Sequence, residues 1–143
     1  MTLETLSEAV VKAGLEIYRV EHPEIRIAER VRMHLMDSGV SISLVPALQV
    51  SLTVRAQRCD FPMASESELF ERVRGALGQA TRARGYAEVS AKARDILNPA
   101  DESDVLDVWH ELTFSKPVAD VAMLISEVQW ALSVSKCVEP IEP

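Results

Sequence analysis

Two segments of the chain alternate apolar and polar residues with a period of two. In residues 48–57 the apolar positions are Leu48, Val50, Leu52, Val54 and Ala56, and in residues 87–94 they are Ala87, Val89, Ala91 and Ala93. Successive side chains of a β-strand point to opposite faces, so this period predicts two strands, each with one buried and one hydrated face. One-sided strands of this kind predict an open sheet with helices packed on its apolar face.

The N-terminal part of the chain fits helices more readily than strands. Apolar residues recur at helical spacing from Leu3 onwards, and Thr2 is a suitable N-cap, so an amphipathic helix is expected from Thr2 to Val20. Residues 24–38 fit two patterns. They contain good helix formers followed by Gly39, which favours a second helix. They also alternate apolar residues with arginines, which leaves a strand as the alternative.

Turn and capping signals place the remaining elements. A short strand is expected over residues 40–45, and a capping box at residues 65–68 predicts a helix that closes at Gly85. Residues 105–114 alternate and should form a hairpin with the strand over residues 87–94, and a broad apolar helix is expected from Val118 to about Ser135.

These elements predict an α+β fold in the order α-α(or β)-β-β-α-β-β-α. Its sheet is expected to be antiparallel or mixed, with about four to five strands and helices mainly on one face. Residues 1–138 are expected to form one domain, and residues 139–143 a disordered tail.

Composition narrows the classes of partner. The chain has 143 residues and a formal net charge of −7, and residues 99–143 contain nine acidic but only two basic side chains. An acidic surface repels phosphate backbones and anionic lipids, so nucleic acid and membrane partners are disfavoured. No apolar run approaches the roughly 20 residues of a membrane helix, and the acidic N-terminus does not resemble a signal peptide. A cytoplasmic location is therefore expected, with Cys59 and Cys137 as free thiols.

No motif in the sequence carries recognisable chemistry. His22, His34 and His110 lack partners at metal-ligand spacing, and a nucleophilic pair of Cys59 with His110 has no supporting third group. The acidic residues between Asp101 and Asp107 lack the glycine and glutamate of a calcium loop, and no phosphate-binding glycine loop is present. The sequence therefore predicts no cofactor and no metal, and it favours a function other than catalysis.

Two surfaces are candidates for contact with a protein. The last helix has a wide apolar face with Met123, Trp130 and Val134, and the hydrated sheet face contains Arg55 and Arg94. We expect a small acidic interaction module, chaperone-like or an assembly adaptor, that forms a homodimer. Its size, low pI and element order are similar to those of the secretion-chaperone class of small acidic dimers.

Other functions fit the same observations. A component of a phage tail or similar particle would show these features. A small-molecule-binding domain or an enzyme with a pocket near Trp109, His110 and Arg94 is the competing class.

Overall fold

The computed structural model describes residues 1–140 and contains one six-stranded antiparallel sheet with helices, which confirms the α+β class. The six strands are one more than the upper end of the predicted four to five. The strand order is β1-β2-β3-β4-β6-β5. In chain order the elements are α1 (Leu3–Lys12), β1 (Ile17–Glu21), β2 (Glu24–Val31), β3 (His34–Ser43), β4 (Gln49–Gln57), α2 (Glu66–Val73), α3 (Gln79–Ala83), β5 (Ala87–Asn98), β6 (Asp101–Pro117) and α4 (Val121–Ser133).

The contacts divide the chain into two compact units. The first comprises Met1–Leu52 and Ser115–Val134, and the second comprises Thr53–Phe114 and the C-terminal segment from Ser135. In the first unit α1 and α4 contact each other, and α4 contacts β3. The helices bury Leu6, Val10, Leu124, Val128 and Ala131, and the strands bury Ile25, Ile27, Val40, Ile42, Val50 and Leu52.

The N-terminal helix predictions are wrong at two places. The first helix ends at Lys12 rather than Val20, because Gly14 has a φ of +85° that an α-helix does not accommodate. Residues 24–38 form β2 and the first half of β3, so the strand alternative is the one observed. Strand pairing on both sides of β2 overrides the helix propensity of its residues.

The second unit contains the capped helix that the sequence predicted. Ser65 accepts a hydrogen bond from the backbone nitrogen of Glu68 and begins α2, a π-helical turn over residues 74–78 leads into α3, and the left-handed Gly85 ends the helical region. The core of this unit consists of Val54, Ala56, Leu69, Val73, Tyr86, His110, Leu112 and Phe114.

The strand over residues 48–57 is confirmed as β4, and it buries the expected apolar side. Its polar side is half-buried rather than freely hydrated, since Ser51 bonds to Ser115 at 2.7 Å and Thr53 to Thr113 at 3.0 Å. These hydroxyl pairs lie between β4 and its neighbour β6.

The prediction for β5 is half right. The segment is a strand beside β6, as the hairpin prediction required. Its apolar side is not buried, however, because every residue from Ala87 to Asp95 is exposed and Val89 retains 61% of its accessible surface. β5 is the edge strand of the sheet, so it has a neighbouring strand on one side only.

The last helix is shorter than the predicted Val118–Ser135. It begins after Asp120, whose carboxylate accepts from the backbone nitrogen of Met123, and it ends at Ser133. Beyond it, the backbone around Cys137 pairs in parallel with Arg55 of β4. The expected disordered tail over residues 139–143 falls in part on residues 141–143, which lie outside the described residues.

Candidate functional site

A half-buried tryptophan on β6 is the centre of the most distinctive side-chain cluster in the second unit. The core residues His110, Leu112 and Phe114 alternate along β6 with Trp109, Glu111 and Thr113. Strand geometry therefore places Trp109 and Glu111 on the opposite face, the one that the sequence predicted to be hydrated. The guanidinium carbon of Arg55 lies 4.1 Å from the Trp109 ring centroid, and that of Arg94 lies 5.0 Å from it.

The two arginines differ in how their charges are neutralised. Arg94 donates two hydrogen bonds, at 2.9 and 3.3 Å, to the two carboxylate oxygens of Glu111. Glu111 is buried, so this bidentate pair compensates its charge. Arg55 has no carboxylate partner among residues 1–140. It donates instead to the amide oxygen of Gln57, at 3.0 and 3.3 Å in the amide orientation that satisfies both groups.

Asp107 fixes the other end of the cluster. Its carboxylate accepts from the indole nitrogen of Trp109 at 3.1 Å and from the backbone nitrogens of Cys59 and Val108 at 2.9 and 2.8 Å. Burial raises the pKa of Asp107, but these hydrogen bonds outweigh it and hold the pKa below its ordinary value. The indole orientation is therefore set by an ionised carboxylate.

The thiol and the imidazole nearby do not form a catalytic pair. Hydrogen bonding to Asp107, with burial and the charges of Asp107 and Asp60, raises the pKa of the Cys59 thiol to about 11. At neutral pH that thiol is almost entirely protonated and is a poor nucleophile.

His110 belongs to the core. Its ring meets Phe70 edge-on at 5.2 Å, and its Nδ1 has no hydrogen-bond partner among the described residues. Burial lowers the pKa of His110, and the charge of Arg58 lowers it further, so the imidazole is neutral. The structure therefore brings Trp109 and Arg94 together, as the small-molecule alternative required, but it separates His110 from them on the other sheet face.

Met123, Trp130 and Val134, which the sequence singled out in and just after α4, belong to the first unit. Met123 is 43% exposed, whereas Trp130 and Val134 are half-buried. Met123 and Trp130 are seven residues apart and so lie on one side of the helix, whereas Val134 directly follows the last helical residue in an extended conformation. Most of the wide apolar face expected for this helix packs into the core, since Leu124, Val128 and Ala131 are buried.

Sequence reasoning missed three members of the Trp109 cluster: Asp107, Glu111 and Gln57. The alternation in residues 105–114 already places Asp107 and Glu111 on the same face as Trp109, so the signal was present. The contact between Arg94 and Glu111 could not be predicted from the sequence, because the two residues are 17 positions apart and lie on different strands.

The described residues also contain a concave surface apart from the Trp109 cluster. A shallow groove of about 220 Å³ is lined by Phe61, Pro62, Met63, Ala64, Glu68 and Arg72. No cluster of three or more potential metal ligands occurs in residues 1–140. Within the same range, no helix has both the length and the apolar character needed to cross a membrane.

Known proteins give no guide to the function of this chain. No family model, curated protein sequence or solved structure matches the chain. The Trp109 cluster is therefore interpreted from its own geometry and charge.

Proposed function

We propose that this protein is a non-catalytic interaction module, a small acidic chaperone-like or adaptor protein that works as a homodimer. Its partner contacts the surface formed by Trp109, Arg55 and Arg94. The observation that carries the proposal is the Arg55 guanidinium, which is stacked on an aromatic ring at 4.1 Å and lacks a carboxylate partner within residues 1–140.

The chemistry of this surface suits protein recognition. Tryptophan and arginine are the residue types most enriched among the few that dominate binding energy at interfaces. The indole of Trp109 is held by Asp107, and Arg55 is held by Trp109 and Gln57, so little side-chain freedom is lost on binding.

The available charge indicates what the partner presents. Arg94 is already paired with Glu111, whereas Arg55 can still donate to an acceptor outside the chain. A guanidinium matches a carboxylate with two parallel hydrogen bonds. We therefore expect an Asp or Glu side chain of the partner over Arg55, with an apolar neighbour against Trp109.

The exposed side of α4 is a second, weaker candidate surface. Met123 is accessible there, and methionine adapts to different partners because its side chain is flexible. Trp130 is half-buried on the same side of the helix, and Val134, just beyond the helix end, is also half-buried.

The test uses Trp109→Ala and Arg55→Ala as bait in capture experiments from the native host, with Arg30→Ala as the matched control. Arg30 is an exposed strand arginine that pairs with Glu16, away from the cluster. Loss of a residue that dominates an interface weakens binding by about 30-fold or more. We expect both cluster variants to lose partners that the wild type and Arg30→Ala retain, with unchanged circular dichroism.

Two outcomes of these experiments would contradict the proposal. Identical capture by wild type and both cluster variants would refute this surface as the binding site. A metabolite that strongly raises the melting temperature of the wild type but not of Trp109→Ala would favour the small-molecule class instead.

A further inference from the structure

β5 leaves one side of the sheet open. It runs for 12 residues from Ala87 to Asn98 and is the last strand in the sheet order. The backbone N–H and C=O groups that point away from β6 along such a strand have no strand to pair with, which makes it a template for another chain.

This edge has less protection than the opposite one, although it does contain charged side chains such as Lys92. The strand at the other end of the sheet order, β1, has only five residues and a bulge between Ile17 and Arg19. Short length and bulges are devices that discourage edge pairing. β5 contains no proline, and its apolar positions Ala87, Val89, Ala91 and Ala93 are all exposed.

We infer that β5 pairs antiparallel with β5 of a second copy of this chain, about a two-fold axis through Ser90. In that register Glu88 lies opposite Lys92 of the second copy, and Lys92 lies opposite its Glu88. The small apolar residues meet on the other face, with Ala87 opposite Ala93 and Val89 opposite Ala91. Opposite charges across a strand pair stabilise it, and the symmetry supplies that contact twice.

The charged side chains are available for this contact. Lys92 has no hydrogen bond or ion pair with any described residue, and it is exposed. Glu88 accepts from Arg74 at 2.9 and 3.0 Å, and an Arg82 nitrogen lies 3.7 Å from the same carboxylate, so its charge is already partly compensated; its side chain keeps 27% exposure. Each carboxylate oxygen has two acceptor sites, so Glu88 can also accept from Lys92 of the second copy.

Several competing arrangements of the same two strands place like charges together. Parallel in-register pairing places Glu88 beside Glu88, Lys92 beside Lys92 and Arg94 beside Arg94. An antiparallel axis moved by two residues places two copies of Glu88 or two copies of Lys92 directly opposite each other. Like charges directly opposite are destabilising. An axis through Ala91 would instead place Glu88 opposite Arg94 of the second copy, but Arg94 is already paired with Glu111. Lys92 has no such pair among the described residues, so the axis through Ser90 is favoured.

The inference rests on the homodimeric part of the proposed function and supplies its surface, but it does not depend on the Trp109 surface. The first test places single cysteines along β5 of the full chain in a Cys59→Ser/Cys137→Ser background. Directly opposite residues have Cβ atoms about 4.5–5.5 Å apart, close to disulfide distance, so Ser90→Cys should give a covalent dimer on oxidation.

Lys92→Cys is the matched control, because it lies on the same face of the same strand. In this register its sulfur lies about 13 Å from its symmetry mate, which is too far for a disulfide. Efficient cross-linking at Ser90→Cys with little at Lys92→Cys supports the inference. Equal cross-linking at both positions, or none at Ser90→Cys, would overturn it.

The second test changes charge instead of adding sulfur. Lys92→Glu converts both attractive contacts into repulsive ones, so we expect the dimer to dissociate at least about tenfold more readily in light scattering. Lys12→Glu makes the same change on α1 and should leave the dimer intact. A wild type that stays monomeric at high concentration, or a Lys92→Glu dimer as stable as the wild type, refutes the β5 pairing.

The two proposals fail separately. Suppose that Ser90→Cys gives the covalent dimer but wild type and Trp109→Ala capture the same partners. This result would refute only the Trp109 surface. If partner capture depends on Trp109 but the chain is monomeric, only the β5 pairing and the homodimer are refuted.

Discussion

The ion pair between Lys116 and Glu127 should be a strong determinant of stability in the first unit. Its nitrogen and oxygen are 2.9 Å apart, and the two side chains are only 18% and 7% exposed. Lys116→Met keeps the apolar stem but leaves the Glu127 carboxylate without this counter-ion. Removal of one partner from a buried pair destabilises a protein by about 3 kcal/mol or more. With an m-value of about 2 kcal/mol per molar urea, the unfolding midpoint should fall by about 1.5 M.

Urea denaturation followed by circular dichroism measures this change, and an exposed pair provides the control. Arg30 and Glu16 are 2.8 Å apart, almost the same distance, but their side chains are 59% and 43% exposed. Arg30→Met should therefore barely move the midpoint, because exposed pairs contribute little. The double variant Lys116→Met/Glu127→Leu should regain most of the loss, since no buried charge remains. If the two single variants lose equal stability, burial is not the cause and the reasoning is refuted.

Three further predictions concern single side chains. Because burial lowers the pKa of His110 in the folded state, its contribution to stability is present above about pH 6.5 and is lost as the pH falls through the folded value. Stability measured between pH 7 and 5.5 should therefore decline less steeply in His110→Leu than in the wild type. In a Cys137→Ser background, alkylation of Cys59 at pH 8 should be about tenfold slower in the folded chain than in urea, because the thiol pKa is about 11 and the smaller thiolate fraction outweighs the greater reactivity of that thiolate; equal rates would contradict the raised pKa. Ser65→Ala removes the cap of α2 and should lower the free energy of unfolding by about 1 kcal/mol, whereas Ser67→Ala, within the first turn, should change it less.

The candidate site could be predicted only in part from the sequence. The alternation around Trp109 places Asp107, Trp109 and Glu111 on one face, and Arg55 has the matching phase on β4. What the pattern cannot give is the register between distant strands, which decides that Arg55 and Arg94 share one indole. It also cannot show that Arg94 is neutralised by Glu111 while Arg55 is not.

The period of the apolar residues by itself determined the α+β class and the strand β4, and the capping signal at Ser65 determined the start of α2, because these features depend on local geometry and local hydrogen bonds. The apolar period has limits. It did not determine β2, where helix-forming residues are held as a strand by pairing on both sides. Nor did it determine which alternating strand is covered. β4 lies between two strands and buries Val50, Leu52 and Val54, while β5 has equally regular alternation but lies at the sheet edge and leaves Val89 exposed. Alternation encodes which side chains share a face, but only the position of a strand in the sheet decides whether anything packs against that face.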